Sequence, residues 1–127
     1  VDVTVSASYE IEQDVLVLRL AAEDLTRLAE IVRAASKDAG FRPPMRLLLD
    51  LRGAVRGLNY EDMRLQVQSL TGMGAALAPI WAVLTTGNAY GMSAAQMFAV
   101  LARIDNVNVR VFDSEEGALI WLRQWAD

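Results

Sequence analysis

Two short runs of nearly unbroken apolar residues, Met45 to Leu51 and Pro79 to Thr86, constrain this chain more than any other feature. A strand with one wet face alternates in polarity. A strand that is apolar at almost every position must be covered on both faces, which points to a parallel sheet with helices packed above and below it.

The segments around these runs agree. Val3, Val5, Ala7, Tyr9 and Ile11 alternate with Thr4, Ser6, Ser8 and Glu10, the period of a strand. Glu12-Gln13-Asp14 reads as a turn, and Val15 to Leu20 as the second arm of an antiparallel hairpin. From Glu23 the period becomes helical, with Leu25, Leu28, Val32 and Ala35 on one face, until Gly40 stops it. Asn59, with Asp62 three positions on, caps a helix carrying Met63, Val67 and Leu70. Ser93 with Gln96 reads as a capping box for a helix through Ile104. Val107, Val109 and Val111 alternate as a last strand, and Ser114 starts a helix carrying Ala118, Trp121, Leu122 and Trp125. The order is β-β-α-β-α-β-α-β-α: an α/β fold with a mostly parallel five-stranded sheet and an N-terminal antiparallel hairpin.

With 127 residues, 54% of them apolar, the chain suits one domain spanning 1–127. It holds neither Cys nor His, which removes disulfides, thiolate nucleophiles, imidazole bases and Cys/His metal sites. No metal or other cofactor is therefore expected. The net charge of −4 offers no basic field, so nucleic acid is not an expected partner. Val1 to Tyr9 lacks the basic start and apolar run of a secretory leader, and a cytoplasmic location is expected.

From Leu65 to Ala102 there is no charged residue at all. Pro79, Asn88 and several Gly, Gln, Ser and Thr residues interrupt the stretch, so it is not a transmembrane segment. A central strand with well-covered helices accounts for part of it. The helix after Ser93, however, is apolar nearly all round, and a helix at the surface ordinarily carries charge on its outer face. Met97, Phe98, Val100 and Leu101 are therefore candidates for an interface, with a second copy or an apolar ligand as the cover.

In open α/β sheets, ligands gather beyond the carboxyl ends of the parallel strands. Those ends carry Asp50, Arg52 and Arg56 after one strand and Thr85, Thr86, Asn88 and Tyr90 after the next, which makes these seven residues the candidate ligand site. The competing reading is that Asp50 and Arg52 pair with each other while the Thr/Gly/Asn stretch builds a turn. No nucleophile and base stand in a catalytic arrangement, and an enzyme relying on Asp50 is the least favoured function. Gly72-Met73-Gly74 has Leu77 where a dinucleotide fingerprint needs glycine, and Lys37 is the only lysine, so no P-loop exists. Trp81 and Trp121 read as core, and Trp125 as a seal at the core edge or an anchor for a partner.

The apolar strand ending Leu49-Asp50-Leu51-Arg52-Gly53, and the closing Val109-Arg110-Val111-Phe112-Asp113 that leads to Ala118 and Trp121-Leu122, resemble the SpoIIAA-like branch of the STAS fold. The resemblance implies a regulatory or protein-interaction module. STAS relatives antagonise anti-sigma factors, and related CRAL-TRIO modules carry lipids. Such antagonists are controlled by phosphorylation of a Ser at the start of the helix after the Asp-bearing strand. Here Asp50 through Gln68 contains no Ser or Thr, and Asn59 occupies the helix cap. The expectation is a non-enzymatic module without that switch, homodimeric, with a carrier or sensor of a small apolar or amphipathic ligand as the alternative.

Overall fold

The computed structural model describes residues 9–53 and 59–124. Its element order is β1 (Tyr9–Glu12), β2 (Val15–Ala21), a 3-10 turn (Ala22–Thr26), α1 (Leu28–Ala35), β3 (Met45–Gly53), α2 (Tyr60–Thr71), a second 3-10 turn (Gly74–Ala76), β4 (Leu77–Leu84), α3 (Ala89–Ile104), β5 (Asn108–Phe112) and α4 (Glu115–Arg123). These make one five-stranded sheet in the order β1-β2-β3-β4-β5. β1 and β2 pair antiparallel, and every later neighbour pair is parallel, as the alternating pattern implies. The expected partners Val3, Val5 and Ala7 of the first strand lie outside the described residues, as does Trp125.

Each parallel strand is laid down beside its predecessor in the same direction, and the three crossovers bring α1, α2 and α3 to one face of the sheet. That face holds the larger core, where Leu16, Leu18, Leu47, Leu49, Trp81 and Val83 meet the inner sides of the three helices. α4 follows β5 and has no further strand to reach. It folds back over the opposite face, where Ala118, Trp121 and Leu122 cover Val15, Val17, Leu48, Ala82 and Leu84. Alternate residues of β2, β3 and β4 thus enter different cores, which explains why their sequences look continuously apolar.

Helix boundaries depart from expectation in three places, one of them the end of the first helix, which closes at Ala35 with Ser36 as its cap and not at Gly40. The first helix is broken at Arg27, whose φ of −132° is not helical. Residues 22–26 instead form the 3-10 turn, closed by the Asp24 carboxylate accepting from the Ala21 amide at 3.0 Å. The exposed amide end of α1 is then capped from outside, with Leu28 N–H donating to the Gln66 side chain of α2 at 3.3 Å. α3 begins at Ala89, four residues before Ser93. Asn88 Oδ1 accepts from the Gly91 amide at 2.7 Å, so the asparagine takes the capping role assigned above to Ser93. The caps expected at Asn59 and Ser114 are present, accepting from the amides of Asp62 and Gly117.

Candidate functional site

At the carboxyl ends of β2 and β3 the pleat aims Arg19 and Asp50 toward the α4 side of the sheet, and the two are direct register partners. One step later the pairing slips. Arg19 faces Asp50 but Ala21 faces Gly53, so β3 carries one extra residue, and this bulge ends regular pairing beside the charged cluster. Arg52, two residues after Asp50 on the same side of the strand, folds back onto it.

Arg19 is the hub. Its five N–H groups are all used: Nε and Nη2 on Glu10 of β1 at 2.9 and 3.2 Å, Nη1 on Asp50 at 2.9 Å and on Glu115 at 3.0 Å, and Nη2 on Glu115 at 2.9 Å. Asp50 is equally saturated. Its Oδ1 accepts from the Arg52 amide at 3.1 Å and Arg52 Nε at 2.9 Å, while its Oδ2 accepts from Arg19 Nη1 and Arg52 Nη2, both at 2.9 Å. Arg52 Nη2 also reaches Glu115 at 3.2 Å. Glu115 opens α4, so two guanidiniums clamp that helix end onto the sheet. Its carboxylate also sits where the helix dipole favours negative charge.

The electrostatics follow from this geometry. Burial alone would raise the pKa of Asp50, but hydrogen bonds from Arg52, then from Arg19, outweigh it and hold the group below the ordinary aspartate value. Glu115 is lowered as well, chiefly by the Arg19 hydrogen bonds. Arg19 is raised by its bonds to Glu115 and Glu10, and Arg52 by its bonds to Asp50. A general base needs a free lone pair and a pKa near the working pH. Asp50 has neither.

Beside this network lies an open concavity of about 430 Å³ lined by Arg19, Leu20, Ala21, Asp50, Arg52 and Gly53. Of the candidate ligand residues it brings together Asp50 and Arg52, while Thr85, Thr86 and Asn88 are not part of it. The strand order does not reverse, so no crevice opens between crossovers that diverge to opposite faces. Thr85 also sits one residue beyond Leu84, and so on the other side of the sheet from Asp50. Its hydroxyl, with those of Thr86 and Asn88's side-chain oxygen, crowds the start of α3. A Cβ built on Gly91 would lie 2.9, 3.0 and 3.3 Å from these three oxygens. The segment is a helix-capping turn, with Gly87 at φ +89° as the residue that lets the backbone reverse. Arg56 and the side chain of Tyr90 lie outside the described residues.

Arg19, Glu10 and Glu115 are site residues that the sequence reading missed. The signal was a lone arginine in the otherwise apolar Val15–Ala21, one strand-register step from the only carboxylate in Met45–Gly53. Glu115 was legible only as an acid in the first turn of a helix.

The second candidate region is α3. Met97, Val100 and Ile104 are 41%, 48% and 68% exposed, a stripe at helical spacing on its outer side. Phe98 and Leu101 correct the expectation for this helix. They turn inward, 4% and 5% exposed, with Phe98 tilted against Trp81 at 6.2 Å between ring centroids. They belong to the core because positions 95, 98, 99, 101 and 102 form the face opposite to 93, 96, 97, 100 and 104. α2 packs beside α3 and adds Leu65, Gln68 and Ser69 to the exposed uncharged surface.

A second concavity, about 250 Å³, opens at the other end of the sheet. Leu70, Leu77, Pro79, Trp81 and Val107 supply its apolar lining, with Thr71 and Asp105 among the polar groups. The indole N–H of Trp81 is buried with no acceptor. Among the described residues, no helix is long and apolar enough to cross a membrane, and no group of carboxylates is placed to hold a metal ion. Comparison with family models, with curated proteins and with solved structures finds no match to this chain.

Proposed function

We propose that this chain is a non-enzymatic interaction module of the STAS type, acting as a homodimer whose contact surface is the outer face of α3. The observation that carries the reading is the exposed stripe of Met97, Val100 and Ile104 within a charge-free segment. Leaving such a patch in water is costly, and burying it against a second protein recovers the hydrophobic term. An uncharged surface suits another copy as the cover, since at the two-fold axis of an isologous contact a residue meets its own counterpart and any charge there would face its like. The Asp50 network supports the non-enzymatic half of the reading, because its donors and acceptors are consumed in fastening α4 to the sheet.

Sedimentation equilibrium tests it. The wild-type chain should fit a monomer–dimer equilibrium at micromolar concentration, and M97E/V100E should be monomeric with an unchanged circular dichroism spectrum, because both positions are already half exposed. A wild-type chain that stays monomeric throughout that range overturns the proposal.

The alternative, a carrier of a small apolar ligand, finds its support in the 250 Å³ concavity rather than at Asp50, where the lining is charged and open. An apolar space of about 150 Å³ is enough to admit a benzene-sized molecule. Native mass spectrometry of protein from its own host would then show added mass that disappears on replacing Ala78 by Trp to fill the cleft.

A further inference from the structure

We infer that the 250 Å³ concavity is a binding site for a small, uncharged, ring-sized carbonyl compound whose oxygen accepts the indole N–H of Trp81. This rests on the carrier reading given above as the alternative, names its ligand chemistry, and does not depend on the dimer.

The indole donor decides the chemistry. Trp81 is 1% exposed, and its Nε1 is closed to solvent with no acceptor. A buried tryptophan N–H ordinarily finds a partner, and one left without calls for a reason. The side chains packed beside it are apolar: Leu47 and Val109 stand level with it on the neighbouring strands, and Phe98 tilts against its ring. Phenylalanine at this position would bring a ring without the unpaired donor. The open space that Trp81 lines is the concavity, so an acceptor for its N–H comes from an occupant there.

The remaining lining shapes the rest of the ligand. Leu70, Leu77, Pro79 and Val107 offer apolar surface to a ring. Since about 150 Å³ admits benzene, 250 Å³ leaves room for a carbonyl substituent. Charge then excludes an anion. Asp105 lines the space, caps the carboxyl end of α3 and enters no ion pair among the described residues. α2 ends at the same space with Leu70 and Thr71 and has no basic residue in its last turn, so two negative helix ends border it. Arg103, the base in the last turn of α3, does not line the space and spends its Nη2 on the Val109 carbonyl at 3.1 Å. An ammonium would suit Asp105 but offers the indole no lone pair.

Acetophenone, α-methylstyrene and benzoate form a matched set of probes. The second replaces the carbonyl oxygen by a methylene, and the third carries a charge. Nitrogen–proton correlation spectra of the wild-type chain, with the Trp81 indole peak assigned, read each titration. Acetophenone should move the indole proton downfield and bind about fivefold tighter than α-methylstyrene, the worth of one net hydrogen bond. α-Methylstyrene should perturb Ala78 and Val107 without that downfield shift, and benzoate should perturb neither. In Trp81→Phe the preference for acetophenone should vanish while α-methylstyrene still binds; if that variant does not fold, the wild-type titrations decide alone. Equal binding of acetophenone and α-methylstyrene with no downfield shift would overturn this ligand class and leave an apolar carrier standing. So would benzoate binding as tightly as acetophenone, or an indole proton already bonded to a buried water in the probe-free chain. No perturbation of the lining residues by any probe would overturn the ligand class and the carrier reading together.

Discussion

The carboxyl-end cluster and the outer face of α3 are opposites in how their side chains are used. The first contains the residues that ordinarily do chemistry, two arginines and three carboxylates, and each of Arg19 and Asp50 has its hydrogen-bonding capacity filled by the others. The second contains no such residues, and its exposed apolar groups have no contact that satisfies them. Under the proposed function, reactive residue types are a poor guide to the working surface in this molecule. A charge that is fully paired holds the fold together, and an apolar group left in water is what remains available to a partner. Arg19 shows the structural role most directly, since it ties β1, β3 and α4 to β2 through one planar group.

The largest expected effect separates the two sides of α3. Phe98→Ala should destabilise the fold by about 3–5 kcal/mol, from lost burial and the cavity left beside Trp81. Met97→Ala should change the stability of the monomer by no more than about 0.5 kcal/mol while weakening association. Urea unfolding at a concentration below the dimer midpoint checks both. Similar costs at the two positions would mean that the outer stripe is ordinary core.

Next comes the cluster. Asp50→Ala should cost about 3 kcal/mol, the low end for breaking a buried ion pair, because Asp50 is nearly enclosed but both arginines retain access to water. Its dimer dissociation constant should match that of the wild type, as the substitution lies on the α4 side of the sheet. A large change in association with little loss of stability would reverse the roles assigned to the two regions.

The pH dependence is a smaller effect with a fixed sign. Asp50 and Glu115 have folded-state values below their ordinary ones, so their contribution is fully present above the unfolded carboxylate range and is lost as pH falls through the depressed values. Stability should be flat near neutrality, where no histidine titrates, and should fall below about pH 4. The decline should be shallower in Asp50→Asn than in the wild type. Urea midpoints measured from pH 7 to pH 3 give both slopes.

The sheet was legible because two-sided burial leaves a mark in each strand separately. Leu47 to Leu49 and Leu77–Leu84 are apolar at successive positions whatever lies next to them, and the helices around them repeat at their own period. The caps at Asn59 and Ser114 were legible for the same reason, since a cap is decided within four residues. The site was legible only in its local half. Asp50 and Arg52 are two residues apart and pair along one strand, but Arg19 and Glu115 join them across 31 and 63 residues, a proximity set by strand register and by which face α4 covers. The start of α3 failed differently. Asn88 and Ser93 both have capping chemistry, and the choice falls to Asn88 because Gly91 gives Thr85 and Thr86 room to pack against the first turn. Phe98 and Leu101 could not be told from Met97 and Val100 in a helix apolar nearly all round, because without a polar face the sequence does not show which side meets the sheet.

The smallest effect sharpens the comparison from inside the cluster. Glu10 bonds to Arg19 twice, as closely as Asp50 does, yet its side chain is 49% exposed against 8% for Asp50. If paired charge holds the fold in proportion to its isolation from water, Glu10→Gln should cost at most about 0.5 kcal/mol, as surface ion pairs do, and salt should erase even that. Geometry would make Glu10 and Asp50 equivalent, whereas desolvation sets them several-fold apart. Urea unfolding of the two variants at low and at molar salt distinguishes these accounts. A salt-insensitive loss at Glu10 comparable to that at Asp50 would show that the fully bonded Arg19, rather than the buried carboxylate, fixes the strength of the network.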